Sequence, residues 1–137
     1  MKFNKLIPEL SVSNVQRSLS FYVDTLGFRI EYARPADMFY FLSFQGSQLM
    51  IEEVNDNWST GELEHPFGRG VNFQMEVGDV SALAKRLDEA DVTLFRPVKE
   101  SWYRGGDAVY GQLEFLVQDP DGYLLRFIQE IGERKPE

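Results

Sequence analysis

The sequence predicts an α+β domain made of two tandem β-α-β-β-β modules that form a half-open, cavity-lining curved sheet. Three observations carry this. Two segments share one grammar, "ELSVSNVQRSLSFYVDTLGFRIEY" and "FQMEVGDVSALAKRLDEADVTLF". Each opens on an alternating run, passes a capping residue into a helical pattern, and leaves as a strand. Val12 aligns with Val77 and Val15 with Val80 at one constant offset, the mark of an internal repeat. Finally, Asn72, Gln74 and Glu76 alternate against Phe73, Met75 and Val77, and Glu9 and Ser11 against Leu10 and Val12. If each helix covers the apolar face of its sheet, the polar positions face the other way.

The elements follow in order. In the first module a strand runs into Val12, and Ser13-Asn14 supplies the helix cap. Val15, Leu19, Tyr22 and Leu26 give the helical stripe, Gly27 closes it, and "FRIEY" is the next strand. Two further strands lie at roughly 38–44 and 48–54, joined by "QGSQ". In the second module Gly78-Asp79 caps a helix with Val80, Leu83, Ala84 and Leu87 inward, and a strand comes next. The last two strands lie at roughly 111–118 and 123–130, joined by "DPDG", which has Pro and Gly where a tight turn wants them. Two stretches read as irregular: "NDNWSTGELEHPFGRG" at 55–70 and "KESWYRGGDAVY" at 99–110. The chain is thus expected to be a single domain, 1–137, with module 1 at about 4–54, a linker at 55–70 and module 2 at about 71–131.

Composition narrows function by exclusion. There is no cysteine among the 137 residues, which removes disulfides, thiol catalysis and thiolate metal sites. The formal net charge of −8 argues against nucleic acid or an anionic membrane surface, both of which demand a basic footprint. An acidic chain attracts cationic ligands instead. The start, "MKFNKLIPEL", has no apolar run of signal-peptide length and no segment is long enough to span a bilayer, so the expected location is cytoplasmic.

Aromatic residues concentrate where a core explanation is weakest. Trp58 and Phe67 lie in the linker with the lone His65, and Trp102, Tyr103 and Tyr110 surround the glycine pair of 99–110. Loops of this length in a compact domain tend to be functional. Among Phe39, Tyr40 and Phe41, alternation puts at least one toward the cavity, and Glu52 faces it because Leu49 and Ile51 claim the other side. Arg126, a lone cation in the apolar run "YLLRFIQ", points either to bulk water or to a group that needs it.

The duplicated unit, "VSNVQRSLSFYVDTLGF" in the first module and "FLVQDPDGYLLRFIQ" at the end resemble the glyoxalase/bleomycin-resistance superfamily, the vicinal oxygen chelate proteins. By that resemblance, the family's metal ligands would fall at about Ile7, Glu52, Asn72 and Arg126, with Glu53 as an alternative to Glu52. Ile7 has no lone pair, Asn72 offers a weak amide oxygen, and Arg126 is a permanent cation. The resemblance therefore points to the metal-free branch, the bleomycin-resistance proteins, with no metal, no cofactor and no catalytic residue. It implies a cytoplasmic homodimer that sequesters a cationic aromatic antibiotic and so confers resistance, with Arg126 paired to Glu52 or Glu9 across the cavity. Flat heteroaromatics suit aromatic faces, and cations suit carboxylates and ring quadrupoles. The ligand-contact candidates are Phe39, Phe41, Glu52, Trp58, Phe67, Asn72, Trp102, Tyr103, Tyr110 and Arg126. The alternatives are a superfamily enzyme (a glyoxalase, dioxygenase or isomerase-like lyase or oxidoreductase) and a binder of another small metabolite.

Overall fold

The computed structural model describes residues 1–137, and the chain divides into two compact units. The first comprises Met1–Arg69 with Asp119–Tyr123, the second Gly70–Gln118 with Leu124–Glu137. Each unit contains one four-stranded mixed sheet.

In the first unit the strands are β1 (Glu9–Val12), β2 (Arg29–Arg34), β3 (Phe39–Phe44) and β4 (Ser47–Glu53). They lie in the order β1-β4-β3-β2, with β1 parallel to β4 and the remaining pairs antiparallel. Between β1 and β2 lies α1 (Val15–Leu19), whose Asn14 side chain accepts from the Arg17 N–H at 3.0 Å. This satisfies one of the donors that a helix start leaves open. The helix continues as a π-helical segment, Ser20–Leu26, and ends at Gly27 with φ +94°. Ser18 and Phe21 join Val15, Tyr22 and Leu26 inside, while the predicted inward Leu19 is only half-buried. These residues meet Val12, Leu42, Leu49 and Ile51 from the sheet, all nearly inaccessible to water. A fully buried residue of this kind contributes about 1.5–3 kcal/mol.

The second unit repeats the order: β5 (Asn72–Glu76), α2 (Val80–Glu89), β6 (Arg96–Gly105), β7 (Ala108–Gln118) and β8 (Leu124–Arg134), arranged β5-β8-β7-β6. Asp79 caps α2, accepting from the Ala82 N–H at 2.9 Å. Val80, Leu83 and Leu87 of α2 are buried, as are Met75, Phe115, Val117, Leu125 and Phe127 of the sheet. The polar series Asn72, Gln74 and Glu76 is exposed on the opposite side of β5, as the alternation predicts.

Two predictions for this unit change. The strand after α2 does not include "VTLF", because the Val92 N–H returns to the Leu87 carbonyl at 3.0 Å and closes the helix, and β6 begins at Arg96. The stretch 99–110 is not irregular. It is the end of a long hairpin, with Gly106 at φ +66° in its turn and Tyr103 opposite Tyr110. The glycine pair that reads as a loop in sequence is the turn of two strands.

The "DPDG" turn belongs to the first unit and is more than a connector. Asp119 accepts from the backbone N–H groups of Asp121 and Tyr123, each at 2.9 Å, and from the Tyr22 hydroxyl at 2.8 Å. Asp121 accepts from the Ser13 N–H at 3.0 Å and from its hydroxyl. Both aspartates are buried and tie the turn to the start and middle of the first helix. Burial lifts the Asp119 carboxyl to about 6 despite its three donors.

Candidate functional site

In the first unit, strand register puts Phe39 opposite Glu52, Phe41 opposite Met50, Tyr32 opposite Phe41 and Arg34 opposite Phe39. Residues directly opposite share a face. Tyr32 stacks on Phe41 with ring centroids 5.0 Å apart, and Phe3, from the segment before β1, meets Phe41 edge-on at 5.5 Å. The Arg34 guanidinium lies 3.9 Å over the Phe39 ring. Phe39 and Phe41 are consequently only 2% and 1% exposed, whereas Tyr32 and Phe3 are 36% and 53% exposed. The accessible aromatic surface on this sheet is Tyr32 with Phe3. Neither is among the residues singled out from sequence.

Beside these rings lie two carboxylates. Partial burial, and then the neighbouring charge of Glu52, raise the Glu9 carboxyl above its ordinary value, with Arg34 pulling the other way. Glu52 accepts a hydrogen bond from the Asn55 side chain. A cavity of about 570 Å³ opens at this end of the sheet, lined by Arg34, Asp37, Glu52, Glu53, Asn55 and Asn57 among others. Acids outnumber bases in it.

In the second unit, Asn72, Tyr103 and Arg126 line a cavity of about 280 Å³ together with Phe95, Arg96, Lys99, Glu114, Leu116 and Leu124. The partner of Arg126 is Glu114, diagonally across on β7. Its Oε2 lies 2.8 Å from the arginine Nε. The family resemblance implies Glu52 or Glu9 as that partner instead. Glu114 is not legible in the sequence because the diagonal contact depends on the β7–β8 register, which no local pattern encodes.

The Glu114 side chain is 3% exposed, and the Tyr103 hydroxyl (2.5 Å), Gln112 Nε2 (3.0 Å) and Ser101 also donate to it. Burial alone would raise its carboxyl, but these donors and Arg126 outweigh it and hold Glu114 at about 2. The Arg126 Cζ sits 5.5 Å from the Tyr103 ring centroid.

The remaining sequence candidates lie elsewhere. Trp102, the residue before Tyr103, lies on the opposite side of β6, over Gly111, with the Arg134 guanidinium 4.1 Å from its ring and its indole N–H donating to Glu100 at 2.9 Å. Tyr110 packs over Gly105. Trp58 is 66% exposed in the linker, and Phe67 is half-buried, edge-on to Tyr123 at 5.9 Å. The ten candidates thus fall into a first-sheet group (Phe39, Phe41 and Glu52, of which Glu52 lines the cavity), a second-sheet cavity group (Asn72, Tyr103, Arg126), and four residues in neither group.

The positions where the family would hold a metal do not fit one. Ile7 has no donor atom and Arg126 is a cation already bonded to Glu114. No three His, Asp or Glu side chains converge on a common point.

Residues 5–127 match the model of the glyoxalase/bleomycin resistance protein/dioxygenase superfamily. The lactoylglutathione lyase of Haemophilus influenzae is 30% identical over 128 residues, covering 88% of this chain and 87% of that protein. The bleomycin resistance protein of Geobacillus stearothermophilus is 25% identical over 137 residues, covering 91% of this chain and 96% of that protein. Among solved structures, TioX from Micromonospora sp. ML1 superposes with a TM-score of 0.73 at 19% identity over 94% of this chain and all of that one. At that identity the likeness concerns the fold.

Proposed function

We propose that this chain, which belongs to the glyoxalase/bleomycin resistance protein/dioxygenase superfamily, is a metal-independent small-molecule binder that sequesters a flat cationic ligand of the bleomycin type. One observation carries the reading: on the first sheet, the rings of Phe41 and Phe39, both in contact with Tyr32, and Phe3 lie beside the close carboxylates Glu9 and Glu52. Two like charges near each other raise the energy of the empty site, and a bound cation relieves that repulsion. The rings supply faces for a flat heteroaromatic and quadrupoles for its charge. Contact falls first to Tyr32, Phe3, Glu9 and Glu52. Phe39 and Phe41 support them from beneath, and become contacts only if Phe3 and Arg34 move aside.

Because the cation stabilises the ionised form of Glu9, binding releases a proton wherever Glu9 is partly protonated. Affinity for the cation therefore rises with pH through the Glu9 titration and then levels. We further propose that the protein acts as a homodimer in the cytoplasm. Leu6, 85% exposed just before β1, is apolar surface available for such a contact. Sedimentation velocity at micromolar concentration would give a single dimeric species, and a monomer would remove this part of the reading.

The test is calorimetric titration of metal-free bleomycin into the protein and into Tyr32→Ala and Glu52→Gln. Saturable binding to the unsubstituted chain, weakened by both substitutions, is expected. The enzyme alternative draws on the 30% identity to a lactoylglutathione lyase. Stoichiometric tightly held divalent metal in the purified protein, with turnover of a hemithioacetal, would replace the binding reading with that one.

A further inference from the structure

We propose that the cavity of the second unit binds a small organic acid, with Arg126 as the carboxylate clamp and Arg96 and Lys99 as flanking charges. The proposal does not rest on the cation-binding reading, since it concerns the other sheet and a ligand of opposite sign.

The charge balance of the cavity is its first support. Arg96, Lys99 and Arg126 line it against a single carboxylate, Glu114. That carboxylate is buried and already occupied by Arg126, Tyr103, Gln112 and Ser101. Neither Arg96 nor Lys99 forms an ion pair within the chain. A chain with a formal net charge of −8 thus concentrates uncompensated positive charge in one concave place.

The state of Arg126 is the second support. It meets Glu114 through Nε, the edge of the guanidinium away from its two terminal nitrogens. A guanidinium fixed at its Nε edge, with a ring near its face, is held in one orientation and still offers two parallel donors. That arrangement matches the two oxygens of a carboxylate. The buried Glu114 is then a positioning residue: it fixes the orientation of the clamp. The half-exposed rings and side chains of Phe95, Leu116 and Leu124 give the acid's carbon body an apolar wall. The cavity volume of about 280 Å³ lies just under the range of drug-sized sites, about 300–1,000 Å³, and suits a metabolite-sized acid. This also gives Arg126 a use: at a position where the family would keep a metal ligand, the cation recruits an anion.

The test titrates the full chain by calorimetry with benzoate, with its neutral isostere benzamide, and with inorganic phosphate. Benzoate is expected to bind saturably and benzamide at least about tenfold more weakly. Lys99→Ala, at an exposed residue, should weaken benzoate several-fold, and Arg126→Gln should abolish binding while Arg126→Lys restores part of it. If Arg126→Gln does not fold, Lys99→Ala and the benzoate–benzamide ratio still decide. Equal affinity for benzoate and benzamide, absence of benzoate binding, or indifference to Lys99→Ala would overturn the proposal. Phosphate bound in preference to benzoate would overturn the organic-acid assignment in favour of an inorganic oxyanion. Bleomycin binding is measured separately, so either reading can fail while the other stands.

Discussion

Replacing Glu114 by glutamine removes a charge and keeps the shape. The carboxyl lies at about 2 in the folded protein against an ordinary 4.5. By linkage this difference is worth about 3 kcal/mol at neutral pH. The sign follows from the direction. A carboxyl whose folded value is depressed contributes stability that is fully present above 4.5 and fades as pH falls toward 2. Its side chain is 3% exposed, so solvent screening takes little from this figure. Urea unfolding of the unsubstituted chain and of Glu114→Gln, at matched pH from about 7 down to about 3, isolates the contribution as a difference of two curves. The gap should be about 3 kcal/mol near pH 7 and shrink by roughly 2 kcal/mol by pH 3. A gap that is constant with pH would refute the reasoning, since it would mean that Glu114 is not held ionised by Arg126, Tyr103, Gln112 and Ser101.

Other expectations follow from the turn beneath the first helix. Tyr22→Phe removes a donor from the buried Asp119 carboxylate and should cost about 1.5–3 kcal/mol near pH 7, the range for a bond to a charged group, and less below the value of about 6 where Asp119 is protonated. Asp119 runs opposite to Glu114: its folded value is raised from 3.8 to about 6. Its contribution is therefore present at low pH and is lost as pH rises through that window, so Asp119→Asn should flatten the loss in stability between about pH 4 and 6. Gly122→Ala should lower the unfolding midpoint, because Gly122 sits at φ +96° and an added Cβ would lie 2.5 Å from Pro66. Strain of this kind costs about 1–3 kcal/mol before the clash is counted, and an unchanged midpoint would contradict it.

Much of the fold was legible because its signals are local. Asn14 and Asp79 cap their helices as the pattern indicates, and the repeat that aligns Val12 with Val77 recurs as two sheets of the same strand order. The tip at Gly105-Gly106 reads as a loop because glycines and clustered rings hide the alternation of Ser101 and Tyr103 against Trp102 and Arg104. The site was less legible because its contacts are long-range. Glu114 reaches Arg126 only through the register of two strands, and Phe3 reaches Phe41 from a segment with no regular structure. Asp119 and Asp121 looked like generic turn residues, and nothing nearby in sequence announces Tyr22 or Ser13 as their partners.

The central claim is that the acidic, aromatic face of the first sheet takes a flat cation without a metal. Calorimetric titration of metal-free bleomycin against the unsubstituted chain and Glu52→Gln, in the presence of a chelator, tests it most directly. Saturable binding that survives the chelator and weakens by about tenfold or more in Glu52→Gln is the expected result. No heat of binding, or binding that disappears with the chelator, would contradict it.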